Sequence, residues 1–342
     1  MDSGGVAHCA PAGTHLMRGT LFAAGLALVS VALTGCGGGG GDGGKGTTTT
    51  TTTTTSTDKF PLYTCSSPVM VPKTQKMSQK GMCVDDTTFW HCSNQMPGRW
   101  PNTKQETVGS LRLFKAWHPS WGDDAARNKS WAFLKTWVET NNAKVLMGAE
   151  VTCDPKSDEQ MWQWNLALMH VLGKDRVLGV SMGNEMDIWW RVSSQDCIDK
   201  LWNGRYWDTL QARVADMDKQ GFQDTKITIV WSMSVLGGNP WKEDGQAKVN
   251  TLVNQAFMKW GSRWVWSFNV YAIWDTNLYP TSAKDCAAKT AAAVNISYTQ
   301  AILSTARERI QKTTNATNDT VWVGENGWSS PMPVGHPLFP FC

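Results

Sequence analysis

A chain of 342 residues, 41% hydrophobic and 18% charged, is long enough for one large domain with a substantial core. Its formal net charge of +3 comes without a basic run of useful length, which excludes an electrostatic nucleic-acid binder. Taken from the N-terminus, residues 21–33 form an apolar run of 13 behind Met17-Arg18, with small residues after it. That is short of the roughly 20 residues a membrane span needs and suits the core of an export signal. Leu33-Thr34-Gly35-Cys36 also matches a bacterial lipobox, whose cysteine is lipidated after cleavage. Either reading makes residues 1–36 an export segment and places the chain outside the cell or on its surface.

Residues 37–59 hold a glycine run and then nine threonines, Thr47 to Thr55. Such a segment buries no apolar surface and reads as an extended, disordered linker that holds a domain away from a membrane or wall. In a eukaryotic host it suits O-glycosylation. Seven cysteines lie beyond it: Cys65, Cys83, Cys92, Cys153, Cys197, Cys286 and Cys342. In an exported chain they predict disulfides rather than metal ligands. Sequons at Asn128, Asn295, Asn315 and Asn318 are compatible with a secretory route.

The remaining residues, 60–342, read as one domain. Up to residue 101 the pattern is hard to follow, and 82–90 is the one weak strand candidate. Beyond it, apolar periodicity predicts strands at 110–116, 144–149, 177–184, 226–232, 264–272 and 320–325. It predicts helices at 125–140, 158–172, 198–220, 249–260 and 291–312. Strand and helix alternating in this way predict a parallel α/β fold. No glycine-rich phosphate fingerprint follows a strand, so a nucleotide-binding sheet is disfavoured. The expectation is a (β/α)8 barrel with an unclear first strand and no recognisable eighth, since 17 proline-rich residues follow Glu325.

Two strands end alike. Val180-Ser181-Met182-Gly183-Asn184-Glu185 and Val321-Trp322-Val323-Gly324-Glu325 each run from apolar residues through a glycine to a glutamate. A parallel barrel builds its site from the C-terminal ends of its strands. Paired carboxylates there suit glycoside hydrolysis, in which one carboxyl donates a proton and the other stays ionised as nucleophile. Glu185 lies among Met182, Met186, Ile188, Trp189 and Trp190, an apolar setting for the acid; Glu325 is the candidate nucleophile. Twenty tryptophans either pack the core or line a sugar groove, where aromatic faces stack on pyranose rings.

Gly183-Asn184-Glu185 resembles the acid/base motif at the fourth strand of the large clan of retaining (β/α)8 glycosidases. Gly324-Glu325-Asn326-Gly327-Trp328-Ser329-Ser330 is similar to the nucleophile motif of family 17 glycoside hydrolases, the β-1,3-glucanases and related glucanosyltransferases. That motif usually reads Glu-Thr-Gly-Trp-Pro-Ser, so this chain departs at Asn326 and Ser329. Arg112-Leu113-Phe114 resembles the family's second-strand Arg-Leu-Tyr, and Asn269-Val270-Tyr271-Ala272-Ile273-Trp274 its sixth-strand motif. With Glu185 on strand four and Glu325 on strand seven, the predicted strands between and before them fit that register.

The resemblance implies retaining hydrolysis of β-1,3-glucosidic bonds in a glucan by a monomeric enzyme, with Glu185 as acid/base and Glu325 as nucleophile. Asn184 would bind the sugar 2-hydroxyl, Tyr271 would lie beside the nucleophile, and Trp274 and Trp328 would offer stacking walls; Trp328 reads equally as core. Arg112 either orients Glu325 or forms a salt bridge inside the barrel. No cofactor is implied, and six histidines without paired ligand spacing predict no metal. Barrel geometry predicts disulfides Cys153–Cys197 and Cys286–Cys342. A glucanosyltransferase on the same residues, or a non-catalytic glucan-binding or wall-associated protein, are the alternatives.

Overall fold

The computed structural model describes residues 7–9, 80–99, 107–244, 248–316 and 320–326. Among these, a short strand β1 (Ala7–Cys9) is followed by β2 (Gly81–Val84), which leads into helix α1 (Asp86–Cys92). Next come β3 (Ser110–Leu113), α2 (Asp124–Thr140), β4 (Lys144–Ala149), α3 (Pro155–Leu172) and β5 (Val177–Asn184). Helices α4 (Gln195–Lys200) and α5 (Tyr206–Lys219) precede β6 (Lys226–Ser232), and α6 (Val249–Trp260) precedes β7 (Trp266–Val270). Two more helices, α7 (Cys286–Val294) and α8 (Ile296–Thr314), lead to β8 (Val321–Asn326).

The strands pair in chain order and all pairs are parallel. Parallel strands with helical crossovers are covered on both faces, which is why they read as near-continuous apolar runs. β7 is buried along its whole length, and β6 is buried at every residue after Lys226. Strands β2 to β8 curl into a nearly closed TIM-like barrel with helices outside. The seam lies between β8 and β2. There β1 runs in register with β2, Ala7 opposite Gly81 and Cys9 opposite Cys83, and lies beside β8. Among the described residues no hydrogen-bonded ladder seals β1 to β8. Three residues of the stretch that the sequence assigns to export thus lie against the barrel.

The elements start where polar side chains can cap them. Asp85, Asp123 and Asp154 accept backbone N–H groups at the starts of α1, α2 and α3, each such cap contributing about 1 kcal/mol. Strands β4, β5 and β6 and helix α6 have the expected limits. Three expectations need correction. The weak strand at 82–90 is a four-residue strand followed at once by α1, because Asp85 caps a helix there. The helix expected over 198–220 is broken at Asn203 and Gly204, whose backbone leaves the helical region. The helix expected over 291–312 is two, divided where the Asn295 side chain accepts the Ser297 N–H.

Among the described residues ten tryptophans are buried packing. Trp241 stacks on Trp266 at 5.1 Å and on Phe268 at 5.9 Å between ring centroids. Such pairs contribute about 0.5–1.5 kcal/mol beyond their buried area. Trp190 and Trp274 are exposed. Cys153 and Cys197, in the segments after β4 and β5, are disulfide-bonded with Cα atoms 5.7 Å apart, as expected. Cys286 is also disulfide-bonded; Cys342 and the rest of that expected pair's geometry lie outside the described residues. Asn128, Asn295 and Asn315 are exposed, and Asn318 lies outside the described residues. No described helix is long and apolar enough to cross a membrane.

Candidate active site

Polar side chains converge at the C-terminal ends of β3, β5, β7 and β8. β8 delivers Glu325, its penultimate residue, and Glu185 directly follows β5. Glu185 adopts a left-handed backbone, with φ of 49°, and its N–H donates to the Val230 carbonyl at 2.7 Å. A non-glycine residue held there carries strain of order 1 kcal/mol or more, sustained by the surrounding hydrogen bonds.

The glycines of the two motifs supply space. Gly183 has φ of +99°, and a Cβ on it would lie 2.8 Å from Met186 Cγ and from the Tyr206 hydroxyl. A Cβ on Gly324 would lie 2.4 Å from Val230 Cγ1 and 2.9 Å from Asn269 Oδ1. Any larger residue at position 324 would displace the amide that organises the site.

That amide belongs to Asn269, which is 1% exposed. Its Nδ2 lies 2.8 Å from Glu325 Oε1, 3.0 Å from Glu185 Oε1 and 3.2 Å from Asn184 Oδ1. One oxygen of each carboxyl group therefore lies within about 6 Å of the other, which is compatible with the roughly 5–5.5 Å of a retaining pair.

Arg112 completes the network from β3. Its Nη1 donates to Glu325 Oε1 at 2.6 Å and to Asn269 Oδ1 at 3.2 Å, and its Nη2 donates to Asn184 Oδ1 at 2.8 Å. The guanidinium also lies 4.7 Å from the centre of the Phe114 ring. The Tyr271 hydroxyl donates to Glu325 Oε2 at 2.9 Å. Burial, and then the charge of Glu325, push the Tyr271 hydroxyl above its usual range, so it stays a donor.

The two carboxyl groups therefore sit in unlike surroundings. Glu325 is buried and receives hydrogen bonds from a guanidinium, an amide and a phenol, all of which stabilise a negative charge. Among the described residues the Glu185 carboxyl receives one bond, from Asn269. Burial first, then the Glu325 charge, raise the Glu185 carboxyl from the usual 4.5 to about 7. Environments that separate two carboxyl groups in this way divide acid from base.

Of the residues expected from sequence, Glu185, Glu325, Asn184 and Tyr271 come together. Asn184 uses its Oδ1 within the network, and its Nδ2 has no protein partner among the described residues. Trp274 ends the short 3-10 turn after β7, on the same end of the barrel, and is 56% exposed. Trp328 lies outside the described residues. Sequence reasoning did not assign Asn269 to the site and left Arg112 between two roles. The Asn-x-Tyr and Arg-Leu-Phe motifs carried the signal for both, and for Arg112 the two roles are one contact.

Among the described residues no group of three or more His, Cys, Asp or Glu side chains is arranged to hold a metal ion. No family model matches this chain, and no curated protein matches it.

Proposed function

We propose that the chain is a retaining glycoside hydrolase acting on β-1,3-linked glucan, with Glu325 as nucleophile and Glu185 as acid and then base. The observation that carries this reading is the single Asn269 amide nitrogen within 3.0 Å of both carboxyl groups, together with the unlike surroundings of the two acids. In the first step Glu325 attacks the anomeric carbon as the bond to the leaving sugar oxygen breaks, and Glu185 gives that oxygen its proton. In the second step water attacks the glycosyl–Glu325 ester, Glu185 takes a proton from the water, and the carboxylate leaves. The Nδ2 of Asn184, without a protein partner among the described residues, supplies a donor for the sugar 2-hydroxyl, a contact that strengthens as positive charge develops on the ring. The choice of β-1,3-glucan rests on the resemblance of the two glutamate motifs to family 17.

The test is reducing-sugar release from a linear β-1,3-glucan by the chain and by its Glu185→Gln and Glu325→Gln variants. Release that collapses in both variants supports the reading. Products longer than the starting oligosaccharide would indicate a glucanosyltransferase on the same residues. A folded chain that binds insoluble glucan and releases nothing would replace the enzyme with a binding protein.

A further inference from the structure

Asp187 has no part in the chemistry above, yet it is fully buried two residues beyond the proposed acid. Its Oδ1 accepts the backbone N–H of Ser232 at 3.0 Å, and its Oδ2 accepts the hydroxyls of Ser232 at 2.5 Å and Ser234 at 3.0 Å. Among the described residues no lysine or arginine pairs with it. A buried carboxylate without a cation is costly, and neutral side chains can satisfy the same donors. Burial raises its own carboxyl above the usual range, and the hydrogen bonds from Ser232 and Ser234 oppose that shift, so what the fold shows is an acceptor held at this point of the turn.

The backbone gives that acceptor a role. The β5–β6 ladder shifts register between Ser181 and Asn184, and Glu185 stands in the left-handed region just past that break. Glu185 is tied to β6 through the Val230 carbonyl, and the 3-10 turn that begins at Met186 is tied to the end of β6 through Asp187. The left-handed residue is thus clamped on both sides to one strand.

We propose that Asp187 is a positioning residue for Glu185: it locks the turn after β5 to the end of β6 and so fixes the placement of the acid. When ionised, it also adds to burial and to Glu325 in raising the Glu185 carboxyl. The inference rests on the reading of Glu185 as the proton donor. The other charged groups facing Glu185 are Glu325 of β8, which favours the protonated form, and Arg112 of β3, which opposes it. Asp187 itself faces the Tyr206 hydroxyl of α5, with Arg213 of the same helix near that tyrosine, besides Ser232 and Ser234.

The test compares Asp187→Asn, which keeps an acceptor for the Ser232 N–H but removes the charge, with Asp187→Ala, which removes the clamp. In Asp187→Asn the alkaline limb of kcat/KM moves to lower pH by about half a unit or more. In Asp187→Ala kcat falls by on the order of 10-fold or more at every pH while KM holds, as expected when a catalytic group loses its placement. A residue that only packs would lower the melting temperature and leave the pH profile of Asp187→Asn in place, and that result overturns the inference. A second readout separates this inference from the functional reading. The Glu185 carboxyl titration, followed by carbon-13 NMR in the parent and in Asp187→Asn, still moves down if Asp187 acts as proposed and the parent proves inactive; no movement overturns it.

Discussion

Arg112 and Glu325, 213 residues apart in sequence, meet at 2.6 Å inside the barrel, with the arginine 2% exposed. A buried ion pair is weak evidence for stability in itself, because two charges lose their hydration to form it. Here the guanidinium also holds Asn184 and Asn269, so one side chain aligns every strand that contributes to the site. Replacing Arg112 by Met leaves Glu325 buried without its cation. The expected cost is about 3–5 kcal/mol of folding stability, read from urea unfolding, with hydrolysis lost as well. A loss below about 1 kcal/mol would show that the site tolerates an unpaired Glu325 and that the pair does not organise it.

In the proposed mechanism the Glu185 carboxyl, raised to about 7, would set the alkaline limit of activity. The acid must carry its proton, so kcat/KM falls as pH rises through about 7. The same shift affects stability. The folded state retains a proton that the unfolded chain loses above about 4.5, so the stabilisation is present below that pH and is lost as pH rises through 7. Glu185→Gln therefore gains on the parent as pH rises, by up to about 3 kcal/mol at pH 8, and the two converge near pH 4. Equal pH dependence of the two melting temperatures would contradict the raised value.

Tyr271 donates to Oε2 of Glu325, the proposed nucleophile, at 2.9 Å. A hydrogen bond to a charged group contributes about 1.5–3 kcal/mol. Tyr271→Phe should therefore lower kcat roughly 10- to 100-fold with a small change in stability. An unchanged kcat would place the phenol outside the reaction and make its contact with Glu325 one of the resting site only.

The Cys153–Cys197 bridge spans a sequence separation of 44 and ties together the segments after β4 and β5, the second of which carries the turn beyond Glu185. Chain-entropy arithmetic for a loop of that size gives about 4 kcal/mol. The double variant Cys153→Ser/Cys197→Ser should unfold at correspondingly lower denaturant, with a steeper slope because the unfolded chain is no longer cross-linked. It should also match the parent protein after reduction where this bridge alone is opened.

Much of the barrel could be read from sequence because a parallel strand covered on both faces is a continuous apolar run, as in Ile227 to Trp231 of β6. Gly81–Val84 escaped because four residues next to a capped helix show no period of their own. The alanine-rich stretch through Ala293 hid a helix boundary, since the break depends on the Asn295 side chain capping the next helix, a local bond that periodicity does not report. The two glutamates stood out because each follows an apolar strand and a glycine. Arg112 and Asn269 did not stand out as clearly. A buried polar residue in a strand gains its meaning from partners on other strands, and those partners are known only after the barrel forms.

The distance that Asn269 imposes on the two carboxyl groups bears directly on stereochemistry, so the decisive measurement is the anomer released first from a β-1,3-linked oligoglucoside, followed by proton NMR before mutarotation. The double-displacement site predicts that the β-anomer appears first in the parent and that Glu325→Gln releases no product. First appearance of the α-anomer, or release by Glu325→Gln at the parental rate, would contradict a site in which Glu325 is the nucleophile and Glu185 its acid and base.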